Sequence, residues 1–194
     1  DARLVSTGAA TAAAPAPAFP FSPGERFQRI TELGGDLLAD YEVCGCHVHV
    51  GVPDRETAVA VVNHVRPWLP TLVALAANSP LDRGRDRGFA STRVIEKMGR
   101  FPCSGVPPWF ASAAEYDREL ARMVDCGAMV DTAMTFWLAR PSPRLPTVEI
   151  RAADAAATVD DAALQAALCR GLVRTALADL AAGREAPRVS DQVC

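Results

Sequence analysis

The sequence predicts an α+β fold: a mainly antiparallel sheet with helices packed on one face. Three observations predict it. Residues 44–52 and 147–152 alternate apolar and polar side chains with the period of a half-buried strand. Segments of helical spacing are mixed with the strands, without the regular alternation of a doubly wound parallel sheet. The chain also closes on a long helix whose broad apolar face suits packing on a sheet.

In chain order, residues 1–22 are rich in Ala and Pro, have no usable period, and read as an extended or loop segment. From Pro23 to Asp40, Phe27, Ile30, Leu33 and Leu37 recur at three and four residues and predict a helix, weakened by Gly34 and Gly35. The strand CGCHVHVGV follows. Its parity puts Cys44, Cys46, Val48, Val50 and Val52 on one face and Gly45, His47, His49 and Gly51 on the other. Asp54 caps a second helix whose stripe is Val61, Val65, Trp68, Leu72 and Leu75, with a kink or restart at Pro67 and a stop at Asn78, Ser79 and Pro80. His64 lies within it and receives no role.

LDRGRDRGFASTR (81–93) reads as a loop leading into a short helix, and GRFPCSGVPPWF as a second loop. Ser112 and Glu115 form a capping box for a helix carrying Tyr116, Leu120, Met123 and Val124, ending near Gly127. Strands are expected over Ala133–Ala139 and Thr147–Ala152, separated by the turn RPSPRLP. The last helix, Val159 to Ala182, enters through Thr158 and Asp161 and presents Leu164, Leu168, Leu172, Val173, Leu177 and Leu180. Three strands make a thin sheet for so many helices.

With 194 residues, nearly half of them hydrophobic, the chain suits one domain, or a large piece of a bigger one, with a sizeable core. No apolar run approaches the length of a membrane span, and Ala9 to Ala18 lacks the continuous apolar segment of a signal peptide. A net charge of −3 gives no reason to expect nucleic acid or a membrane surface as partner. Lys97 is the only lysine, and every other fixed cation is arginine, whose planar fork suits carboxylate and phosphate. The six cysteines, in a chain large enough to do without staples, read as reduced thiols of a cytoplasmic protein.

The paired cysteines and histidines of 44–49 face opposite ways on one strand, so they cannot close together around zinc. The cysteines read as small apolar residues. The imidazoles, flanked by glycines that let another group approach the backbone, look like the floor of a site. In TVEIRAAD the same parity puts Glu149 and Arg151 on a polar face, where they can hold a cation and an anionic oxygen side by side. Taken alone, they can equally be a solvated ion pair. Arg83, Arg85, Arg87 and Arg93, with Ser91, can bind phosphate or carboxylate, or pair internally with Asp82 and Asp86. No phosphate-binding loop, dinucleotide fingerprint or nucleophile elbow is present.

CGCHVHVGVPDRE, RPWLPTLVALAANSP, GRDRGFASTR and RPSPRLPTVEIRAAD together resemble, in this order, segments of the glutamate-cysteine ligase family, in its bacterial carboxylate-amine ligase branch. The resemblance runs from about Pro23 to Leu180. It implies an ATP-dependent ligase that joins the γ-carboxylate of glutamate to the amine of cysteine or a related compound through an acyl phosphate. It also implies a glutamine synthetase-like curved sheet carrying Mg2+ and substrates on its concave face. Such chemistry needs positioned metal ions and cations rather than a protein nucleophile. Carried over by position, His47 and Glu149 are expected as metal or nucleotide-site ligands and Arg151 as a contact to the transferring phosphoryl group. His49 is expected as a supporting cofactor-site group, Arg93 and Ser91 as amino-acid substrate contacts, and Asn78 in a loop at the site. Arg140 and Arg144 lie in or beside a proline-rich turn that can place them anywhere and are not assigned.

The family's early glutamate-rich strands are not found before His47, and the resemblance implies members that continue past the point where this chain stops at Cys194. Residues 1–194 are therefore expected to form an interior portion of a ligase domain, short of some metal ligands and weak or inactive in isolation. The alternative is a non-catalytic fragment or binding module that keeps the fold. Small-molecule substrates are the expected partners, and a homo-oligomer stays open.

Overall fold

The computed structural model describes residues 4–12, 22–38 and 41–190. Helix α1 spans Glu25–Gly34 and passes into a 3-10 turn at Gly35, whose φ of 47° a β-carbon would disfavour. The glycine pair thus ends the α-helix inside the span expected to reach Asp40, and residues 39–40 lie outside the described residues. None of α1 is buried, and Leu33 and Leu37 of the expected apolar face are 44% and 45% exposed.

Strand β1 is Gly45–Gly51, and α2 is Arg55–Val65, capped by the Asp54 carboxylate accepting from the Thr57 amide at 2.7 Å. Pro67 sits in a 3-10 turn, Arg66–Trp68, before α3, Leu69–Leu75. The tighter turn rotates the register. Val61, Val65 and Leu72 of the expected stripe are buried, but Leu69 takes the inward place of Trp68, which is 53% exposed, as is Leu75 at 57%. The run Arg55–Leu75 is long and apolar enough, by length and composition alone, to cross a membrane, against the expectation. Half of that window is buried within the fold, as in a core helix.

The 81–93 loop contains a small hairpin, β2 (Leu81–Asp82) with β3 (Arg85–Asp86), then a π-helical turn at Arg93–Lys97. Strand β4, Ser104–Gly105, precedes α4, Ala113–Asp125, which Ser112 caps through the Glu115 amide. The reciprocal half of that box is replaced: the Glu115 carboxylate accepts from the Ala111 amide at 2.6 Å. The single strand expected over 133–139 is two. Strand β5, Phe136–Trp137, pairs in parallel with β4, while β6, Ala139–Pro141, joins the main sheet. Strand β7, Thr147–Asp154, runs two residues further than expected, and α5, Val159–Ala181, opens with a complete Thr158/Asp161 capping box.

The main sheet is three-stranded and antiparallel, in the order β1-β7-β6. Helices α2, α3 and α5 pack on one face, where Val148, Ile150 and Ala152 meet Val61, Val65, Leu69, Leu72, Cys169 and Val173. The buried line of α5 is Gln165, Cys169, Val173 and Ala176, not its leucines. Most of these flank it, and Leu164 is 51% exposed. A second core joins Phe110, Tyr116, Leu120 and Trp137. The opposite face of the main sheet carries the polar side chains.

Candidate active site

Antiparallel register builds this face. His49 lies opposite Glu149, and Glu149 lies opposite Arg140, so one row crosses all three strands. His47 reaches Glu149 diagonally, its Nδ1 donating to Oε1 at 3.1 Å. Arg151 Nη1 donates to the same oxygen at 2.6 Å, and Arg140 Nε to Oε2 at 2.7 Å. Arg140 is braced by the Ala133 carbonyl at 2.7 Å and the Thr135 hydroxyl at 3.0 Å. His49 shares a 2.8 Å hydrogen bond with the Thr147 hydroxyl.

Glu149 is 4% exposed, so this is not the solvated ion pair that the strand alone allows. Burial favours its neutral form, but hydrogen bonds from His47 and Arg140 and the charges of Arg140 and Arg151 outweigh it and hold the carboxyl far below its ordinary range. Burial, aided by Arg140, pushes the Arg151 guanidinium down, against the pull of Glu149. Two guanidinium charges thus face one carboxylate. Arg151 Nε is buried with no hydrogen-bond partner among the described residues, a donor without an acceptor. Beside the row opens a cavity of about 520 Å³ lined by Arg26, His49, Arg140, Arg144 and Glu149 among others.

The donor set fits an anionic oxygen group better than a bare cation. Among the described residues no three imidazole, thiol or carboxylate groups gather to hold a metal. Mg2+ takes one or two protein carboxylates and completes its shell with water and substrate phosphates. On that footing His47 and Glu149 are the side chains here that would face such a cation.

Glutamate-cysteine ligase family 2 (GCS2) matches residues 2–191. The chain belongs to this family. The mixed fold with its antiparallel sheet is consistent with the glutamine synthetase-like fold of GCS2. Three relatives carry provisional glutamate–cysteine ligase names. One, of Saccharopolyspora erythraea, is 60% identical over 192 residues, which is 99% of this chain and 48% of that protein. One of Salinispora arenicola is 47% identical over 97% of this chain and 49% of its own length, and one of Nocardia farcinica 49% identical over 90% and 45%. The chain spans about half the length of the curated relatives it matches.

Within this GCS2 chain, His47, His49, Glu149 and Arg151 come together. Arg93, Ser91 and Asn78 do not join them. They surround Asp154 at the far end of β7, and Arg93 and Ser91 are 2% and 5% exposed. Arg93 Nε donates to Asp154 at 2.7 Å, Nη1 to Met98 Sδ, and Nη2 to the carbonyls of Arg151, Ala152 and Ala153. Ser91 donates to Asp154, and Asn78 uses its side-chain amide on the carbonyls of Ser6 and Ala155. The structure thus places these three apart from the Glu149 row, with their donors engaged by protein acceptors. Gly45 is explained by the same cluster, since a β-carbon there would lie 3.0 Å from Arg93 Nη1, whereas one at Gly51 would meet nothing.

Arg140 is the residue that sequence reasoning missed. Its signal was the hairpin: pairing outward from the turn sets Pro141 against Val148 and Arg140 against Glu149. The thiols stand apart from this chemistry. All five described cysteines are free, and burial, with Cys46 nearby, pushes the Cys169 thiol up to about 11 on the helix side. Cys44, expected as a small buried residue, is exposed just before β1.

Proposed function

We propose that this chain carries the nucleotide-binding floor of an ATP-dependent carboxylate–amine ligase, one that joins the γ-carboxylate of glutamate to the amine of cysteine or a related compound through an acyl phosphate. The observation that carries the reading is the convergence of His47, Arg140 and Arg151 on the Glu149 carboxylate beside an open, basic cavity. Arg140 and Arg151 bind and orient phosphate oxygens, offering more positive charge than Glu149 cancels. Glu149 and His47 face the cation, and Glu149 also keeps the two guanidiniums apart and aligned. Mg2+, when bound, offsets phosphate charge as phosphoryl transfer proceeds. Magnesium, ATP and a cytoplasmic setting are parts of this proposal.

A binding module that keeps the fold without the reaction is the second reading. It is favoured by the lack of a three-ligand metal cluster among the described residues. Calorimetric titration with ATP, with and without Mg2+, tests the first reading. In the native chain Mg2+ strengthens ATP binding, and in Glu149→Gln that strengthening is lost. No binding by the native chain, or an equal Mg2+ effect in both, overturns it. Glutamate-dependent ATP turnover by the purified chain would exclude the module; its absence with intact Mg-ATP binding would favour it.

A further inference from the structure

The register of β1 and β7 slips once. Val48 lies opposite Ile150 and Cys46 opposite Ala153, so His47 alone faces two residues, Arg151 and Ala152. This is a β-bulge, a device that bends a strand and re-aims the side chains in it. The bulge carries one of the two site arginines and faces the site imidazole.

The Arg93–Asp154 cluster is built onto that bulge. Arg93 Nη2 lies 3.1, 3.0 and 2.6 Å from the carbonyl oxygens of Arg151, Ala152 and Ala153. Successive carbonyls of a regular strand point to alternate edges, so one nitrogen reaches three in a row only where the strand is distorted. The guanidinium is itself fixed by Asp154, which also accepts from Ser79 Oγ at 2.7 Å, the Asn78 amide at 2.8 Å and Ser91 Oγ at 3.0 Å. Closing the register by one residue would turn Asp154 toward the apolar face. Buried carboxylate and bulge therefore hold each other in place.

We infer that Arg93 and Asp154 are positioning residues that lock the β7 bulge in the one register in which His47 and Arg151 share the Glu149 carboxylate. The inference deepens the nucleotide reading and rests on it for the reaction, but its structural half can be read without any ligand. A clamp that only stabilised the fold would lower the unfolding midpoint and leave the imidazole where it is. A positioning clamp moves the imidazole.

The test compares Arg93→Lys, which keeps a cation beside Asp154 but loses the fork onto three carbonyls, with the milder Ser79→Ala. The control is Asp82→Asn, which disturbs the Lys97–Asp82 pair (3.0 Å) rather than the Arg93–Asp154 pair. Long-range nitrogen–proton spectra of the His47 ring are recorded without ligand, with thermal unfolding and tripolyphosphate titration alongside. In Arg93→Lys the His47 signals shift toward those of Glu149→Gln and tripolyphosphate binds roughly ten-fold more weakly. Ser79→Ala moves the ring signals the same way by less. Asp82→Asn lowers the unfolding midpoint and leaves the ring signals in place. Native His47 signals in both clamp variants, or an equal shift in the control, overturn the inference. If Arg93→Lys does not fold, Ser79→Ala decides by the same criterion. Failure of the native chain to bind tripolyphosphate would count against the nucleotide reading, while the ring signals still decide this one.

Discussion

Glu149 and Asp154 are buried carboxylates on the same strand, 4% and 1% exposed, and their surroundings differ. Among the described residues, every side chain that holds Glu149 is a guanidinium or an imidazole, a cavity opens beside it, and a buried Arg151 donor has no acceptor. Asp154 has one guanidinium, two hydroxyls and a backbone amide, with Gly8 pressed so close that a β-carbon there would lie 2.5 Å from its Cγ. Burial of a charge does not distinguish a site from a scaffold. The balance of charge is what differs: two guanidiniums meet the Glu149 carboxylate and one meets that of Asp154.

The comparison breaks most visibly at the sealed cluster. Asp154→Ala leaves Arg93 buried and uncompensated, so urea unfolding should show a loss of about 3–5 kcal/mol. A loss under about 1 kcal/mol would mean the cluster is less closed than its distances imply. At the open cluster the larger effect is on binding. Arg140→Gln should weaken ATP roughly ten-fold with or without Mg2+, about 1.4 kcal/mol, while costing less stability than Asp154→Ala. Glu149→Gln, by contrast, should remove the Mg2+ dependence and leave the arginines attractive to phosphate.

Acid sharpens the contrast further. The folded-state pKa of Glu149 lies below its ordinary value of 4.5, so the unfolded chain takes up this proton more readily. Its contribution to stability is therefore complete above that value and is lost as pH falls toward the folded pKa. From about pH 5 to about pH 3 the thermal midpoint of the native chain should fall more steeply than that of Glu149→Gln. Parallel curves would contradict the assignment.

The smallest effects separate the two glycines of β1. Gly45→Ala crowds Arg93 Nη1 at 3.0 Å and the Ala153 carbonyl at 3.2 Å and should cost about 1–2 kcal/mol. Gly51→Ala meets nothing within 4 Å and should stay within about 0.5 kcal/mol of the native chain.

Local rules made much of this legible before any coordinates. Asp54, Pro67 and the Thr158/Asp161 box mark their helix boundaries through bonds made within a few residues. Strand parity was enough to bring His47 and Glu149 to one face. What parity cannot show is who occupies a donor. Within its loop Arg93 has Asp82 and Asp86 as the nearby acidic candidates, yet its acceptor, Asp154, lies 61 residues away. The expected face of α5 does meet the core through Val173, Leu168, Leu172, Leu177 and Leu180, but its most buried line is offset from the leucines. The leucines are its bulkiest apolar residues, but the sheet packs on the smaller Cys169, Val173 and Ala176. The hairpin register sets Arg140 against Glu149, whereas the proline-rich turn alone leaves its place open.

The most direct measurement is an experimental structure of the chain with Mg2+ and a non-hydrolysable ATP analogue bound. The account predicts phosphate oxygens within hydrogen-bond distance of Arg140 and Arg151, with the cation between the phosphates and the Glu149–His47 pair. An analogue seated on the helix-covered side of the sheet, or phosphates that leave both guanidiniums bonded to protein alone, would contradict it.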